Sequence, residues 1–191
     1  LEGAKTSAKI IAKVEDTEGL ENIDEIIKLV DGVMVARGDM AIEIGAENVP
    51  MVQKSIIKKC NELGKIVITA THMLESMIKS PVPTRAEVSD IANAILDGTD
   101  AIMLSEETTL GDFPVEAVKV MTKVANKIET DPLYKKGILE MQKLKHEHIG
   151  KGTSDAMTNE AVDIANAVDA KLIIALTNSG FTARMISRYK P

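Results

Sequence analysis

Three charged side chains are spaced so that they could hold a metal ion and a substrate anion. Lys13 and Glu15 stand two residues apart at the end of an apolar run. Residues two apart on a strand share a face, so Ile11, the Lys13 ammonium and the Glu15 carboxylate should point the same way. Asp39 follows the next apolar run and adds a second carboxylate. Two carboxylates facing one lysine suit a hard divalent cation that keeps sites for water and substrate oxygens. The alternative is a buried ion pair at a strand end.

Polar residues around this group have both a chemical and a plain structural interpretation. Gly38 would let a ligand approach the backbone closely, or it marks a simple turn. Thr71 could donate to a bound oxyanion or pass a proton, or it merely ends a strand. His72 is expected to be a packed or exposed histidine rather than a catalyst. Glu106 and Glu107 could belong to a site, but carboxylates also favour the start of a helix.

Four short runs must position these residues. The segments KIIAKVE, GVMVARGD, KIVITAT and DAIMLSEE are rich in Val, Ile, Ala and Met, and each is followed by helical spacing. They predict strands buried on both faces, in four successive strand-helix units. In such a sheet ligands bind at the carboxyl-terminal edge, which predicts that the polar ends form one active site.

The helices between the strands carry their own start and stop signals. Apolar residues at helical spacing predict one helix through Leu20, Ile23, Ile26, Ile27 and Val30, and a second through Val49, Val52, Ile56, Cys60 and Leu63, ended by Gly64. Thr84 and Glu87 form a capping box for a third helix, which Gly98 ends. Pro114 suits the first turn of a fourth helix.

The pattern changes after about residue 130, which predicts three regions: 1–130, 131–152 and 153–191. The middle region is rich in Lys, Glu and His. It is expected to be a linker with one exposed helix, because Ile138, Met141 and Leu144 give only a narrow apolar stripe. The last region is predicted to begin a second α/β domain, with a helix over 156–168, a buried strand over 171–176 and a helix over 181–189.

Composition narrows the setting. The chain has 191 residues, 45% of them hydrophobic, and a formal net charge of −6. That charge argues against nucleic acid or an anionic membrane as a partner. A single cysteine, Cys60, cannot form an internal disulfide, and no apolar run approaches a membrane span, so a cytoplasmic location is expected. Leu1 is not an initiator methionine, which suggests a piece of a longer protein.

Four longer strings resemble the pyruvate kinase family closely. They are IIAKVEDTEGLENIDEI, DGVMVARGDMAIEI, GKIVITATHMLESMIKSPVPTRAEVSDIANAILDGTDAIMLSEET and GDFPVEAVKVM, which span much of the chain. The resemblance implies an α/β fold: the last four βα units of a TIM (β/α)8 barrel, followed by the beginning of a carboxyl-terminal α/β regulatory domain.

The resemblance also implies an activity, the transfer of a phosphoryl group from phosphoenolpyruvate to ADP in the last step of glycolysis. Glu15 and Asp39 would bind Mg²⁺ or Mn²⁺, and Lys13 would stabilise the transferring phosphoryl group and the enolate. Thr71 would contact the substrate near the carbon that is protonated. The implied site residues, by their numbers in this sequence, are Lys13, Thr71, Ser105 and Glu107 for catalysis, and Lys13, Arg37, Gly38, Asp39 and Thr71 for substrate binding.

Some features depart from the family pattern. Glu106 and Ala41 stand where the family usually has glycine, and His72 where it often has glutamine. The first half of the barrel, with the K⁺ ligands, is absent from this sequence. We therefore expect the piece alone to be inactive, with inward-facing Ile11, Val33, Val35 and Val67 lacking half of the barrel core. By resemblance the complete enzyme would be an allosteric homotetramer.

A polar turn in the last region suits a phosphate. Thr177, Ser179 and Thr182 lie where a predicted strand turns into a helix, and they resemble the family loop that binds an allosteric sugar phosphate in some members. A simple strand-helix turn is the alternative. For the whole chain two other functions stay open: another metal-dependent phosphoenolpyruvate or pyruvate barrel enzyme such as a lyase, and a non-catalytic half-barrel that assembles with itself.

Overall fold

Strands and helices alternate along the chain as the sequence predicts, in a computed structural model that describes residues 8–134, 137–138 and 152–191. Most of the predicted linker, including Met141 and Leu144, lies outside the described residues. The elements in chain order are β1 (Ile11–Val14), α1 (Thr17–Glu21), α2 (Ile23–Leu29), β2 (Gly32–Ala36), α3 (Arg37–Ile44), α4 (Val49–Glu62), β3 (Ile66–Ala70), a 3-10 turn (Glu75–Ile78), α5 (Arg85–Leu96), β4 (Ala101–Met103), α6 (Glu106–Thr109), α7 (Pro114–Glu129), α8 (Thr153–Ala167) and α9 (Phe181–Ser187).

The four strands form one parallel sheet in the order β1-β2-β3-β4. The register pairs Val14 with Val35 and Val33 with Val67. Every crossover passes through helices, and the carboxyl ends of all four strands meet at the same edge of the sheet. This is the arrangement that the four successive strand-helix units predict.

The helix-covered face of the sheet carries the main core. Val14, Val33, Val35 and Val67 are buried there against α2 and α4, in a cluster that includes Ile27, Ile56, Ile57 and Cys60. The expectation that Val33, Val35 and Val67 face inward with Ile11 is wrong. Val14 pairs with Val35, and Val33 pairs with Val67, so these four residues share one side of the sheet. Ile11 pairs with Gly32 and lies on the other side.

The opposite face of the sheet is only partly covered. Ile11 is 45% exposed and Ile66 is 41% exposed, while Met34 and Ile68 are half-buried. The prediction of strands buried on both faces is therefore wrong for these residues, because solvent reaches this side of the sheet.

Helix boundaries match the sequence signals at most positions. Thr84 accepts a hydrogen bond from the Glu87 amide, and the Glu87 carboxylate accepts one from the Thr84 amide, so the capping box is present. Gly64 and Gly98 follow α4 and α5 with positive φ angles of 63° and 93°, as helix-ending glycines do. Pro114 opens α7. The first predicted helix is instead divided into α1 and α2 at Asn22.

The last region differs more from the prediction. Helices α8 and α9 pack together through Val162, Ile186 and Tyr189. The predicted strand over 171–176 alternates as a strand does, with Ile173 and Ala175 packed on this cluster and Leu172, Ile174 and Leu176 exposed. It forms no ladder with any described residue. The prediction of a buried strand is thus wrong here.

Candidate active site

Lys13, Glu15 and Asp39 come together at the carboxyl edge of the sheet. The Lys13 ammonium forms an ion pair with the Glu15 carboxylate and lies 3.6 Å from Asp39 Oδ2. Lys13 lies near the carboxyl end of β1. Asp39 lies in the first turn of α3, which starts directly after β2. We call these three residues the lysine cluster. Asp39 is thus on a helix and not at a strand tip, and Arg37-Gly38-Asp39 forms a helical turn.

The lysine cluster is open to solvent. The Lys13 side chain is 51% exposed and the Asp39 side chain 63% exposed. A hydrogen bond from Lys13 to Glu15, with further attraction from Glu15 and Asp39, raises the pKa of Lys13 above its ordinary value. The lysine therefore remains a full cation at neutral pH, which favours the binding of anions.

The two carboxylates are suited to a hard divalent cation. Glu15 Oε2 is shielded from solvent, and its partner is the Lys13 ammonium. Across the described ranges no group of three or more His, Cys, Asp and Glu side chains is close enough to hold a metal ion. Glu15 and Asp39 would thus supply two oxygens and leave the other positions to water and substrate. This fits Mg²⁺, which keeps several waters when protein carboxylates bind it.

Thr71 connects the end of β3 to the start of α3. Its hydroxyl accepts a 2.7 Å hydrogen bond from the Gly38 amide and donates one of 2.7 Å to the Ala70 carbonyl. Thr71 and His72 both have left-handed backbones, with φ angles of 69° and 53°. Such a conformation costs about 1–3 kcal/mol for each non-glycine residue and persists only where surrounding contacts fix it.

Gly38 lies where a side chain would crowd its neighbours. A Cβ atom there would lie 3.2 Å from His72 Cε1 and 3.5 Å from Thr71 Oγ1. The His72 ring is exposed and packs over the Gly38 backbone, as an exposed histidine is expected to do. Gly38 thus allows the β3 end and the first turn of α3 to touch.

Arg37 points away from the lysine cluster and into the protein. Its side chain is 9% exposed and makes an ion pair of 2.6 Å with Asp90 on α5. It also donates to the Ala70 and Thr71 carbonyls, to Gln53 and to the Met73 sulfur. We call Arg37, Gln53 and Asp90 the arginine cluster. Its donors do not reach the lysine cluster.

The arginine cluster was not predicted from the sequence. Arg37 and Asp90 are 53 residues apart, and no spacing rule connects them. One signal was available: Gln53 is a polar residue between Val49 and Ile56 on the apolar stripe of α4, and it is 4% exposed. A polar residue at a core position usually has a buried hydrogen-bond partner.

The last polar end lies beside the 3-10 turn and is built differently. Glu107 is 1% exposed, and its carboxylate accepts hydrogen bonds from the Ser105 amide at 2.7 Å and the Leu74 amide at 3.1 Å. Ser105 precedes α6, and Glu106 is exposed in its first turn, where the helix dipole favours a carboxylate. Glu107 therefore ties the β4 end to the loop that follows Thr71.

The polar turn of the last region lies before α9. The Thr177 hydroxyl accepts a 3.1 Å hydrogen bond from the Gly180 amide, and the Ser179 hydroxyl accepts one of 3.4 Å from the Phe181 amide. Gly180 has a positive φ of 78°, and Thr182 is exposed in the first turn. The three hydroxyl groups thus lie along one exposed turn.

Two family models match this chain. Residues 1–118 match the barrel domain of pyruvate kinase, and residues 155–191 match its alpha/beta domain. The chain belongs to the pyruvate kinase family. The resemblance noted in the sequence is thereby confirmed. An α/β fold with a parallel sheet is also confirmed, with a match to the family's barrel domain followed by a match to its alpha/beta domain.

Individual pyruvate kinases support the same assignment. The chain is 53% identical to the enzyme of Clostridium perfringens over 96% of its own length and 38% of that protein. It is 52% identical to that of Bacillus licheniformis over 96% of its length and 31% of the relative. A crystal structure of a Cryptosporidium parvum pyruvate kinase superposes with a TM-score of 0.92 at 48% identity, over all of this chain and 38% of that one. The chain spans about a third of the length of these relatives.

None of the helices in the described ranges combines the length and apolar character needed to cross a bilayer.

Proposed function

We propose that this chain is part of an enzyme that transfers the phosphoryl group of phosphoenolpyruvate to ADP, giving pyruvate and ATP. The observation that carries the proposal is the Lys13 ammonium held between Glu15 and Asp39 at the carboxyl edge of the sheet. A cation flanked by two metal-binding carboxylates suits a reaction in which negative charge moves between oxygens. The names of the relatives support the same reaction.

In the proposed reaction, the bond between phosphorus and the enol oxygen of phosphoenolpyruvate breaks, and a bond forms to a β-phosphate oxygen of ADP. The enolate left behind takes a proton at its terminal carbon and becomes pyruvate. Lys13 would stabilise the negative charge on the phosphoryl oxygens and the enolate, which is the larger part of catalysis in such transfers. Thr71 would lie near the carbon that takes the proton, with Ser105 and Glu107 close to the proton path.

Glu15 and Asp39 would hold Mg²⁺ or Mn²⁺, and the metal would supply positive charge to the substrate oxygens. The backbone of the first turn of α3, at Gly38 and Asp39, would bind the substrate carboxylate. Arg37, which the resemblance also places in substrate binding, points into the protein and pairs with Asp90 instead. The Gly38 amide already donates to Thr71, so anion binding would use the neighbouring amides and Lys13. A K⁺ requirement follows from the family alone, because no K⁺ ligand is assigned in this chain.

We also propose the domain organisation. Residues 1–130 would be the last four units of the barrel, 131–152 a linker, and 153–191 the beginning of the regulatory domain. The partly exposed apolar side of the sheet, with Ile11 and Ile66, supports a barrel interior that further strands complete. A cytoplasmic homotetramer is proposed from family membership, with no role for nucleic acid or membranes.

The activity is tested with the full-length product of the gene. Phosphoenolpyruvate, ADP, Mg²⁺ and K⁺ should yield pyruvate and ATP in equal amounts, measured by separate coupled assays. Pyruvate without ATP would contradict the kinase and favour a lyase.

The isolated 191-residue chain should be inactive, because substrate contacts from the rest of a barrel would be missing. It should also self-associate through the open sheet face in light scattering. A monomer with kinase turnover would contradict both statements.

The polar turn is proposed as an effector phosphate site formed by Thr177, Ser179 and Thr182. The exposed hydroxyls before α9 and in its first turn support this. Thr182→Glu in the full-length product should abolish activation by sugar phosphates, because a fixed negative charge would repel the phosphate, while basal activity remains. Activation that is unchanged by the substitution would show that the turn is only structural.

A further inference from the structure

The turn after β3 is held in a conformation that it would not adopt unaided. Thr71 and His72 are consecutive left-handed residues, and neither is glycine. The Thr71 hydroxyl in this turn accepts the hydrogen bond from the Gly38 amide, one residue before Asp39. The position of Asp39 beside Lys13 therefore depends on the conformation of this turn.

The Arg37 guanidinium contacts the backbone carbonyls of this turn. Its Nε lies 3.2 Å from the Ala70 carbonyl oxygen, and its Nη2 lies 2.7 Å from the Thr71 carbonyl oxygen. These two carbonyls flank the Thr71 α-carbon, so both are fixed by one rigid planar group. A lysine could not reproduce this, since its ammonium has no fork.

Two further side chains orient the guanidinium. Nη1 donates to Asp90 Oδ1 at 2.7 Å and to Gln53 Oε1 at 3.4 Å. Asp90 lies on α5 and Gln53 on α4, so the turn is connected to two helices that pack on the sheet. Every nitrogen of the guanidinium therefore has a partner within the protein.

We propose that Arg37 is a positioning residue that acts on the reaction through the Thr71 turn, with Asp90 holding it in place. The guanidinium fixes the Ala70 and Thr71 carbonyls, the turn then presents the Thr71 hydroxyl to the Gly38 amide, and this sets Asp39 beside Lys13. The inference rests on the proposed phosphoryl transfer and assigns Arg37 a role in it other than direct contact with the substrate.

An adjacent cavity makes the inference testable by chemical rescue. A cavity of about 430 Å³ open to solvent is lined by Arg37, Gln53, Lys54, His72, Asp90 and Asp97. Removing the Arg37 side chain would leave a space beside Asp90 that a free guanidinium ion can enter from this cavity. Lys54 lines the same cavity and pairs with Asp97 but has no hydrogen bond to the Thr71 turn, so it offers a matched control.

The experiment uses the full-length gene product. Arg37→Ala should lower kcat by about 100-fold, as a small misplacement of a reacting group does. The KM for phosphoenolpyruvate should change by less than about threefold, because the substrate contacts remain. Guanidinium chloride at low concentration should restore kcat at least about tenfold, whereas methylammonium and Arg37→Lys should not. Asp90→Asn should lower kcat by about tenfold, and Lys54→Met by less than about twofold.

Amide hydrogen exchange supplies a readout that needs no activity. The segment 36–40, which contains the Gly38 amide, should exchange faster in Arg37→Ala and in Asp90→Asn than in Lys54→Met. If the unmodified protein makes no ATP, the proposed function fails while this arm still tests the positioning role. Unchanged exchange would overturn the inference. A second result would also overturn it: a raised KM with unchanged kcat in Arg37→Ala, together with unchanged kcat and KM in Asp90→Asn. That combination would indicate that Arg37 binds the substrate directly. Should Arg37→Ala not fold, Asp90→Asn alone decides between the outcomes.

Discussion

The two charged clusters on either side of the first turn of α3 are built in opposite ways. The lysine cluster is open to solvent, and its three charged side chains contact few groups besides one another. In the arginine cluster Arg37 and Gln53 are buried, and the guanidinium donates to carbonyls, an amide oxygen, a carboxylate and a sulfur. Arg37 and Asp39 are two residues apart, so the first turn of α3 contributes Arg37 to the arginine cluster and Asp39 to the lysine cluster.

The difference separates groups that can react from groups that hold them. An exposed cation with two carboxylates can exchange these partners for substrate and metal at little cost, because solvent already screens the pairs. A buried cation whose donors are all used cannot leave its partners without a large desolvation penalty. We therefore expect substitutions in the lysine cluster to change chemistry and those in the buried groups to change position and stability.

The largest effect is expected at Lys13. In the full-length product, Lys13→Met should lower kcat by at least about 100-fold, because the proposed phosphoryl transfer depends on the positive charge of Lys13 for electrostatic stabilisation. Its side chain is half exposed, so the thermal midpoint should change little. Steady-state kinetics and a melting curve on the same preparation check both parts. A small loss of turnover would contradict the chemical role of the lysine cluster.

Asp39→Ala should act on the metal rather than on folding. The carboxylate is 63% exposed and pairs with Lys13. Its removal should weaken Mg²⁺ or Mn²⁺ binding by at least about tenfold, since even groups that only support a metal ligand have effects of that size. Metal titration of activity and direct Mn²⁺ binding measure the change, with Asp90→Asn, the carboxylate of the arginine cluster, for comparison. Equal metal affinities in the two variants would remove the distinction between the clusters.

Glu107 extends the comparison to the last polar end of the sheet. The carboxylate is buried and accepts from two amides, so it resembles the arginine cluster more than the lysine cluster. Glu107→Ala should lower the free energy of unfolding by about 3 kcal/mol, because two buried donors lose their acceptor. Glu106→Ala, at the exposed neighbouring residue, should change it by less than about 0.5 kcal/mol. Denaturant unfolding of both variants tests this contrast.

The sequence predicts most of the lysine cluster because local rules suffice there. Lys13 and Glu15 share a strand end, and Asp39 follows the neighbouring strand, so parallel topology alone brings them together. The helix caps at Thr84, Gly64 and Gly98 depend on short spacings and are also predicted.

The arginine cluster and the sheet faces could not be predicted in the same way. The Arg37–Asp90 pair joins elements far apart in sequence, and the left-handed turn at Thr71 and His72 has no glycine to reveal it. The side on which Val33 and Val67 lie depends on the register relative to Val14, and apolar runs without alternation do not indicate a face. The prediction of a strand over 171–176 is wrong because a strand must pair with another strand, and the described residues supply no partner for it.

The smallest effect is expected at Glu87, a carboxylate that is partly buried and only supports structure. Burial raises its pKa, but hydrogen bonds from the Ser76 hydroxyl and amide and from Thr84 outweigh this, so its pKa is lowered in the folded protein. A carboxylate with a lowered pKa stabilises the fold at pH values above the pKa it has in the unfolded chain, about 4.3 for Glu. This stabilisation is lost as the pH falls through the pKa of the folded protein.

Glu87→Gln should therefore destabilise the protein by about 1–2 kcal/mol at neutral pH, since the hydrogen bonds to a charged acceptor become weaker. The difference between the variant and the unmodified protein should shrink towards zero as the pH falls through the folded pKa of Glu87. Glu87 lies outside both clusters, so kcat at neutral pH and low temperature should change far less than in Lys13→Met. Urea unfolding at a series of pH values measures the trend. A difference that is independent of pH would mean that the Glu87 charge does not stabilise the capping box.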